Sequence, residues 1–219
     1  MIIVKNDSDP YTPVRKDTMK KRIAVLASGR GSNFQAVIDA LQAGKIPASC
    51  AALITDNPKA YAIERAKDAK IPVTIIDYAS FPSREAYERA LLFAMQQIDA
   101  DLFVLAGYMR ILGTNIVRAF PGRMVNIHPA LLPGFTGLHA QRQAVQYGVK
   151  VSGCTVHFVD ESLDGGPVIL QHCVSVKESD GEDSLAERIL KYEHECLPEA
   201  IRLFCEDRLE IVGRHVRIR

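Results

Sequence analysis

From residue 22 onward the chain alternates short apolar runs with segments of helical period. Arg22-Ile23-Ala24-Val25-Leu26-Ala27 is almost continuously apolar, the pattern of a parallel strand covered on both faces. Residues 34–41 follow with apolar positions at helical spacing. Further strands are predicted over residues 50–55, 73–76 and 102–106. The helices between them are predicted over residues 61–70 and from a Ser83 cap through Arg84, Glu85, Tyr87, Leu91 and Met95. Such alternation indicates parallel crossover units. Residues 124–128 read as another buried strand, followed by a helix over 139–147. Strands at 153–160 and 168–176 are expected to pair antiparallel, before a long helix over 184–204 and a closing hairpin at 209–212 and 216–218. The expected fold class is α/β, a single doubly wound, mostly parallel sheet. Its N-terminal half is Rossmann-like, and its antiparallel strands lie toward the C-terminus.

The length of 219 residues suits one large α/β domain. Residues 1–21 are polar and without period, and are expected to form a poorly ordered or lightly docked extension. The β-forming Ile2, Ile3 and Val4 leave an edge strand open there, and Met19 stands as an alternative start. Residues 22–219 are read as the domain, with 22–121 as a mononucleotide-binding half. The net charge of +1, with both signs spread along the chain, argues against a nucleic-acid partner. Cys50, Cys154, Cys173, Cys196 and Cys205 show no paired spacing. They suit reduced thiols of a cytoplasmic protein rather than disulfides or a metal site. The longest apolar run, residues 102–109, is too short to cross a bilayer, so no membrane partner is expected.

Three stretches carry candidate chemistry. Ser28-Gly29-Arg30-Gly31-Ser32-Asn33 joins a central strand to a helix, with Ser32 and Asn33 as natural caps. Phosphate binding at that helix start is favoured over a plain tight turn. The loop lacks the Gly-Lys-Ser/Thr of a Walker motif and the third glycine of the dinucleotide fingerprint. Asp56, near where a ribose-binding acid would lie, keeps a nicotinamide protein as a minor alternative. In Met124-Val125-Asn126-Ile127-His128-Pro129, Asn126 and His128 share a face, and Pro129 stops the pairing. An amide and an imidazole thus stand together where a strand ends, the ligand-binding end in open α/β sheets. The alternative is a strand-end histidine satisfied by a neighbouring carbonyl. Gly107-Tyr108-Met109-Arg110-Ile111-Leu112-Gly113 lies beyond another strand end. It reads equally as the wall of a slot for a flat heterocycle or as a helix start burying Met109 and Ile111. Asp164-Gly165-Gly166 is ordinary turn chemistry when taken alone.

Taken together, four segments resemble the folate-dependent glycinamide ribonucleotide formyltransferases. They are Ser28 to Asn33, Met109 to Leu112, Asn126-Ile127-His128-Pro129-Ala130-Leu131-Leu132-Pro133, and Gly153 through Gly166. The likeness runs from about residue 22 to residue 210. It implies formyl transfer from 10-formyltetrahydrofolate, the cosubstrate, to the primary amine of glycinamide ribonucleotide, with no metal. By the resemblance, Asn126, His128 and Asp164 match the catalytic residues. Gly31, Ser32 and Asn33 match the phosphate loop, and Glu193 the acid that meets the glycinamide end. Arg84 matches the arginine near the folate glutamate tail. Met109, Arg110, Ile111, Leu112, Asn126, Asp160 and Asp164 match the folate site. Residues 122–219 then form the catalytic and folate-binding half. Leu190 stands where related enzymes often carry a polar residue near the phosphate, and Gly134-Phe135-Thr136-Gly137 lacks a proline common there. The partners implied are small molecules acting on a monomer or homodimer.

The chemistry follows from the residue types. Attack on a formyl group creates an oxyanion, which fixed donors such as Asn126 and His128 stabilise. A carboxylate nearby favours a charged imidazole and can relay protons. The rivals are a formyl-folate hydrolase, a formyltransferase for another amine such as that of initiator tRNA, and a non-catalytic nucleotide-binding module. The first two usually carry extra domains for which residues 1–21 and the C-terminal end leave little room. The third gives Asn126, His128 and Asp164 no joint purpose.

Overall fold

β1 (Lys21–Leu26) sends Ile23 and Val25 to one face of the sheet and Ala24 and Leu26 to the other, and all four are fully buried. Burial on both faces requires helices on both faces. The computed structural model, which describes residues 20–219, shows them there. α1 (Ser32–Gln42) and α2 (Ala62–Asp68) cover one face with Phe34, Val37 and Ile63. α3 (Arg84–Gln97) and α4 (Thr114–Ala119) cover the other with Tyr87, Leu91, Met95 and Ile116. The short α4 was not anticipated from the sequence pattern. The expected arm lies outside the described residues except for Lys20 and Lys21, and Lys21 already belongs to β1.

The remaining strands are β2 (Ala48–Thr55), β3 (Val73–Ile75), β4 (Leu102–Leu105), β5 (Met124–His128), β6 (Val151–Phe158), β7 (Val168–Ser175), β8 (Leu209–Val212) and β9 (His215–Ile218). Among the described residues, nine strands form one sheet in the order β3-β2-β1-β4-β5-β6-β7-β9-β8. β1 to β5 run parallel, β6 is antiparallel to both β5 and β7, and β8 and β9 close the edge as a hairpin. The α/β class, the parallel first half and the antiparallel C-terminal strands are as expected. The strand order reverses beside β1, which has β2 on one side and β4 on the other. That reversal opens a crevice at the carboxyl ends of the strands.

After α5 (Ala140–Tyr147), the long helix α6 (Glu182–Cys205) lies over the same face as α1. Its buried stripe is Leu185, Ile189, Glu193, Leu197 and Ile201, each four residues from the last. A carboxylate therefore occupies the middle of an apolar ridge. Among the described residues no helix is long and apolar enough to cross a membrane.

Candidate active site

β5 ends at His128, and β6 lies antiparallel beside it with Asn126 opposite His157 and His128 opposite Thr155. This register gathers polar side chains that are far apart in the chain. The Phe158 carbonyl can only accept, so His157 Nδ1, 2.9 Å away, carries the proton. His157 Nε2 is then an acceptor for Asn126 Nδ2 at 3.2 Å, which fixes the direction of the Asn126 amide. Burial pushes the His157 pKa down and keeps the ring neutral. Thr155 secures the turn after His128. Its hydroxyl donates to the Ala130 carbonyl at 2.7 Å and accepts from Leu132 N–H at 3.1 Å. Gln171 Nε2 donates to the Leu132 carbonyl at 2.9 Å. His157, Thr155 and Gln171 were not singled out from the sequence. Only the strand pairing reveals them.

Asp164 arrives from the β6–β7 loop in a left-handed backbone conformation, φ 51°. Its Oδ2 lies 3.4 Å from His128 Nδ1 and accepts Gly137 N–H at 2.7 Å, and its Oδ1 lies 3.8 Å from His157 Nε2. The sequence-derived trio is thus assembled, with His157 as a fourth member. His128 Nε2 donates to the Phe135 carbonyl at 2.8 Å. The loop containing Phe135 and Gly137 therefore holds one atom of His128 and one of Asp164. Asp160 is turned to local work, as its Oδ1 accepts the Ser162 N–H at 2.9 Å and also the Ser162 hydroxyl.

The glycine loop departs from expectation in one respect. Neither Ser32 nor Asn33 caps α1. The cap is Gly31 in a left-handed conformation, φ 68°, without a side-chain bond. Ser32 and Asn33 are instead the first helical residues, so their N–H groups have no acceptor within the helix. The loop carbonyls are tied back to α2, with Gly29 accepting from Ala62 N–H at 3.1 Å and Arg30 from Arg65 Nε at 2.9 Å. A Cβ on Gly31 would meet Ala62 Cβ at 2.8 Å, so close packing against α2 also demands glycine. Gly31→Ala is expected to destabilise the fold by roughly 1–2 kcal/mol from the left-handed backbone alone. The thermal midpoint then falls by about 2–8 °C or more, and calorimetry checks this.

The Asn33 side chain serves a remote partner. Its Nδ2 donates to Glu193 Oε2 at 2.7 Å, and both residues are buried. Asn33 Oδ1 has no protein partner. Burial raises the Glu193 pKa, and the Asn33 bond only partly opposes it. For a raised carboxyl, the stability contribution is full below the unfolded pKa and is lost as pH rises through the folded value. Glu193→Gln removes that loss. Its thermal midpoint is expected to exceed that of the parent at pH 8, by about 2–4 °C for each kcal/mol relieved, and to match it near pH 4. Melting curves at both pH values check the sign.

A profile of the formyl transferase family matches residues 21–201. The chain belongs to the formyl transferase family. The structure of glycinamide ribonucleotide transformylase 1 from Symbiobacterium toebii superimposes with a TM-score of 0.89 at 51% identity, covering 93% of this chain and 95% of that one. The phosphoribosylglycinamide formyltransferase of Escherichia coli K12 is 44% identical over 189 residues, 86% of this chain and 89% of its own. The trifunctional purine biosynthetic protein adenosine-3 of Drosophila melanogaster is 47% identical over 186 residues, 84% of this chain. This chain spans only 14% of that relative's length.

In this formyl transferase the loop after β4 leads into α4, with Gly113 as its cap, but presents its apolar side chains at the surface. Met109 and Ile111 are 59% and 62% exposed, while Tyr108 is buried below them. The reading that buried Met109 and Ile111 in the core is therefore set aside. Arg84 donates from Nη2 to the Ile111 carbonyl at 3.1 Å and from Nε to Glu88 at 2.7 Å, so it braces the wall. A cavity of about 210 Å3 opens between α3 and this loop, bordered by Tyr78, Arg84, Met109 and Leu112. The Arg110 guanidinium is bonded to Asp56, with Nε donating to Oδ2 at 2.7 Å. Leu190 is half-buried one turn before Glu193, and Lys191 is exposed on another side of α6.

Proposed function

We propose that the chain transfers the formyl group of 10-formyltetrahydrofolate to the primary amine of glycinamide ribonucleotide. The observation that carries this reading is the convergence of Asn126 and His128 from the end of β5 with Asp164 from the β6–β7 loop, at the same carboxyl edge of the sheet as the Gly31 loop that carries Asn33 to Glu193. The names of the relatives at 44% and 51% identity point the same way. The substrate phosphate is assigned to the free N–H groups of Ser32 and Asn33 at the α1 start. Glu193 takes the glycinamide end, and Met109 to Leu112, with Arg84 behind them, take the folate.

The amine nitrogen attacks the formyl carbon and forms a tetrahedral centre. The formyl oxygen displaces the Phe135 carbonyl from His128 Nε2 and takes a second donor from Asn126, whose amide His157 holds in place. Asp164 accepts the proton the amine loses. The carbon–N10 bond then breaks, N10 takes up a proton, and tetrahydrofolate and the formylated amine leave. The enzyme forms no covalent bond at any step.

An absorbance assay for consumption of 10-formyltetrahydrofolate, with and without glycinamide ribonucleotide, tests the reading. Consumption that requires the ribonucleotide supports it. Consumption in its absence would point to a hydrolase, and no consumption by folded protein would leave a nucleotide-binding module.

A further inference from the structure

Asp56, at the carboxyl end of β2, is 4% exposed, which is rare for a carboxylate. Its Oδ2 accepts from Arg110 Nε at 2.7 Å, while its Oδ1 is buried with no protein partner. The Arg110 guanidinium also lies over the Tyr78 ring, 3.9 Å from its centroid. Tyr78 is anchored in turn, since its N–H donates to the Asp56 carbonyl at 3.1 Å and its ring meets Tyr87 edge-on. The hydroxyls of Tyr87 and Tyr108 are bonded to each other. One side chain from β2 therefore reaches past β1 and grips the loop that follows β4, with an aromatic ledge beneath the grip.

The rest of that loop is tied by its backbone. Met109 N–H donates to Ser28 Oγ at 2.9 Å, and the Gly107 carbonyl accepts Ser28 N–H at 3.1 Å. Between these ties and the Arg84 bond to Ile111, Arg110 is the residue whose side chain sets where the loop turns. Its inward direction leaves Met109 and Ile111 facing outward. A buried carboxylate with half its capacity unused is costly for stability alone. Holding a binding loop in one shape explains its presence.

We propose that Asp56 is a positioning residue that acts through Arg110 to hold the Tyr108–Leu112 wall in the shape that accepts the folate. This rests on the proposed formyl transfer for the identity of the ligand, but not for the geometry of the brace. Asp56 does not touch the substrate or the reacting atoms. Asparagine at position 56 removes the charge that holds Arg110 while keeping at most one neutral acceptor, so Arg110, already 42% exposed, is held less firmly and can remain solvated. Removing Arg110 instead strands a buried charge. The two changes should thus differ in stability and agree in their effect on folate binding.

The test is a double-mutant cycle of Asp56→Asn, Arg110→Gln and the pair, with steady-state kinetics and melting curves. Asp56→Asn is expected to raise the KM for 10-formyltetrahydrofolate toward the upper part of the roughly 2- to 30-fold range for residues that act on a site indirectly. The KM for glycinamide ribonucleotide should stay within about twofold, a selectivity that general loosening would not produce. The double variant should show the folate KM of Arg110→Gln alone, because without Arg110 the Asp56 carboxylate has nothing left to hold. Arg110→Gln should melt lowest, and adding Asp56→Asn should recover part of the loss. An unchanged folate KM in folded Asp56→Asn, or additive effects in the pair, would overturn the proposal. Amide hydrogen exchange of residues 108–112 in the ligand-free protein gives a readout independent of the reaction. Faster exchange in Asp56→Asn supports the brace and unchanged exchange overturns it, even if the parent protein proves inert toward folate.

Discussion

Asp164→Asn is expected to lower kcat by roughly 100-fold or more, the scale of losing one positioned acid–base group. Asparagine is nearly isosteric and tolerates the left-handed backbone that Asp164 adopts at φ 51°. Its amide oxygen can still accept the Gly137 N–H that now lies 2.7 Å from Oδ2. The loop should therefore keep its shape, and the loss should be chemical. What disappears is the carboxylate 3.4 Å from His128 Nδ1, the group proposed to take the amine proton. Steady-state kinetics beside a melting curve separate the two effects. Near-normal turnover, or a loss matched by unfolding, would remove Asp164 from the mechanism.

His128→Ala should cost at least as much, again roughly 100-fold or more, because an oxyanion donor aimed into a site with little water is worth about 3–4 kcal/mol. Here a structural price accompanies the chemical one. His128 is 4% exposed, so alanine leaves a cavity and deprives the Phe135 carbonyl of its donor at 2.8 Å. His128→Gln supplies the control, since it fills more of the space and retains a donor group. If His128 acts through the oxyanion, glutamine should restore stability more fully than turnover, and ribonucleotide binding measured by calorimetry should persist in both variants. Parallel recovery of stability and rate would reduce His128 to a structural residue.

Much of this was legible along the chain. The near-continuous apolar runs at β1 and β4 identified parallel strands, since strands buried on both faces cannot alternate with polar residues. Pro129 marked the end of β5, and strand alternation put Asn126 and His128 on one face. The expectation that Ser32 and Asn33 would cap α1 was wrong because cap preference is a local property. The Asn33 amide is claimed by Glu193, 160 residues away, and Gly31 takes the cap position. The loop was weighed as a phosphate site against a plain tight turn, and neither reading included the obstacle that a side chain at Gly31 meets first, Ala62 on α2.

The sequence by itself determined the class of fold, the strand ends and the residue types able to carry acyl chemistry. These depend on periodicity, breakers and functional groups, all of which are written locally. Only the tertiary structure decided which side chains meet. The register of β6 against β5 brought His157 to Asn126, the β6–β7 loop swung Asp164 to His128, and β2 lent Asp56 to a loop two strands away in the sheet. Those pairings depend on long-range strand order and loop closure, which no window of local sequence encodes.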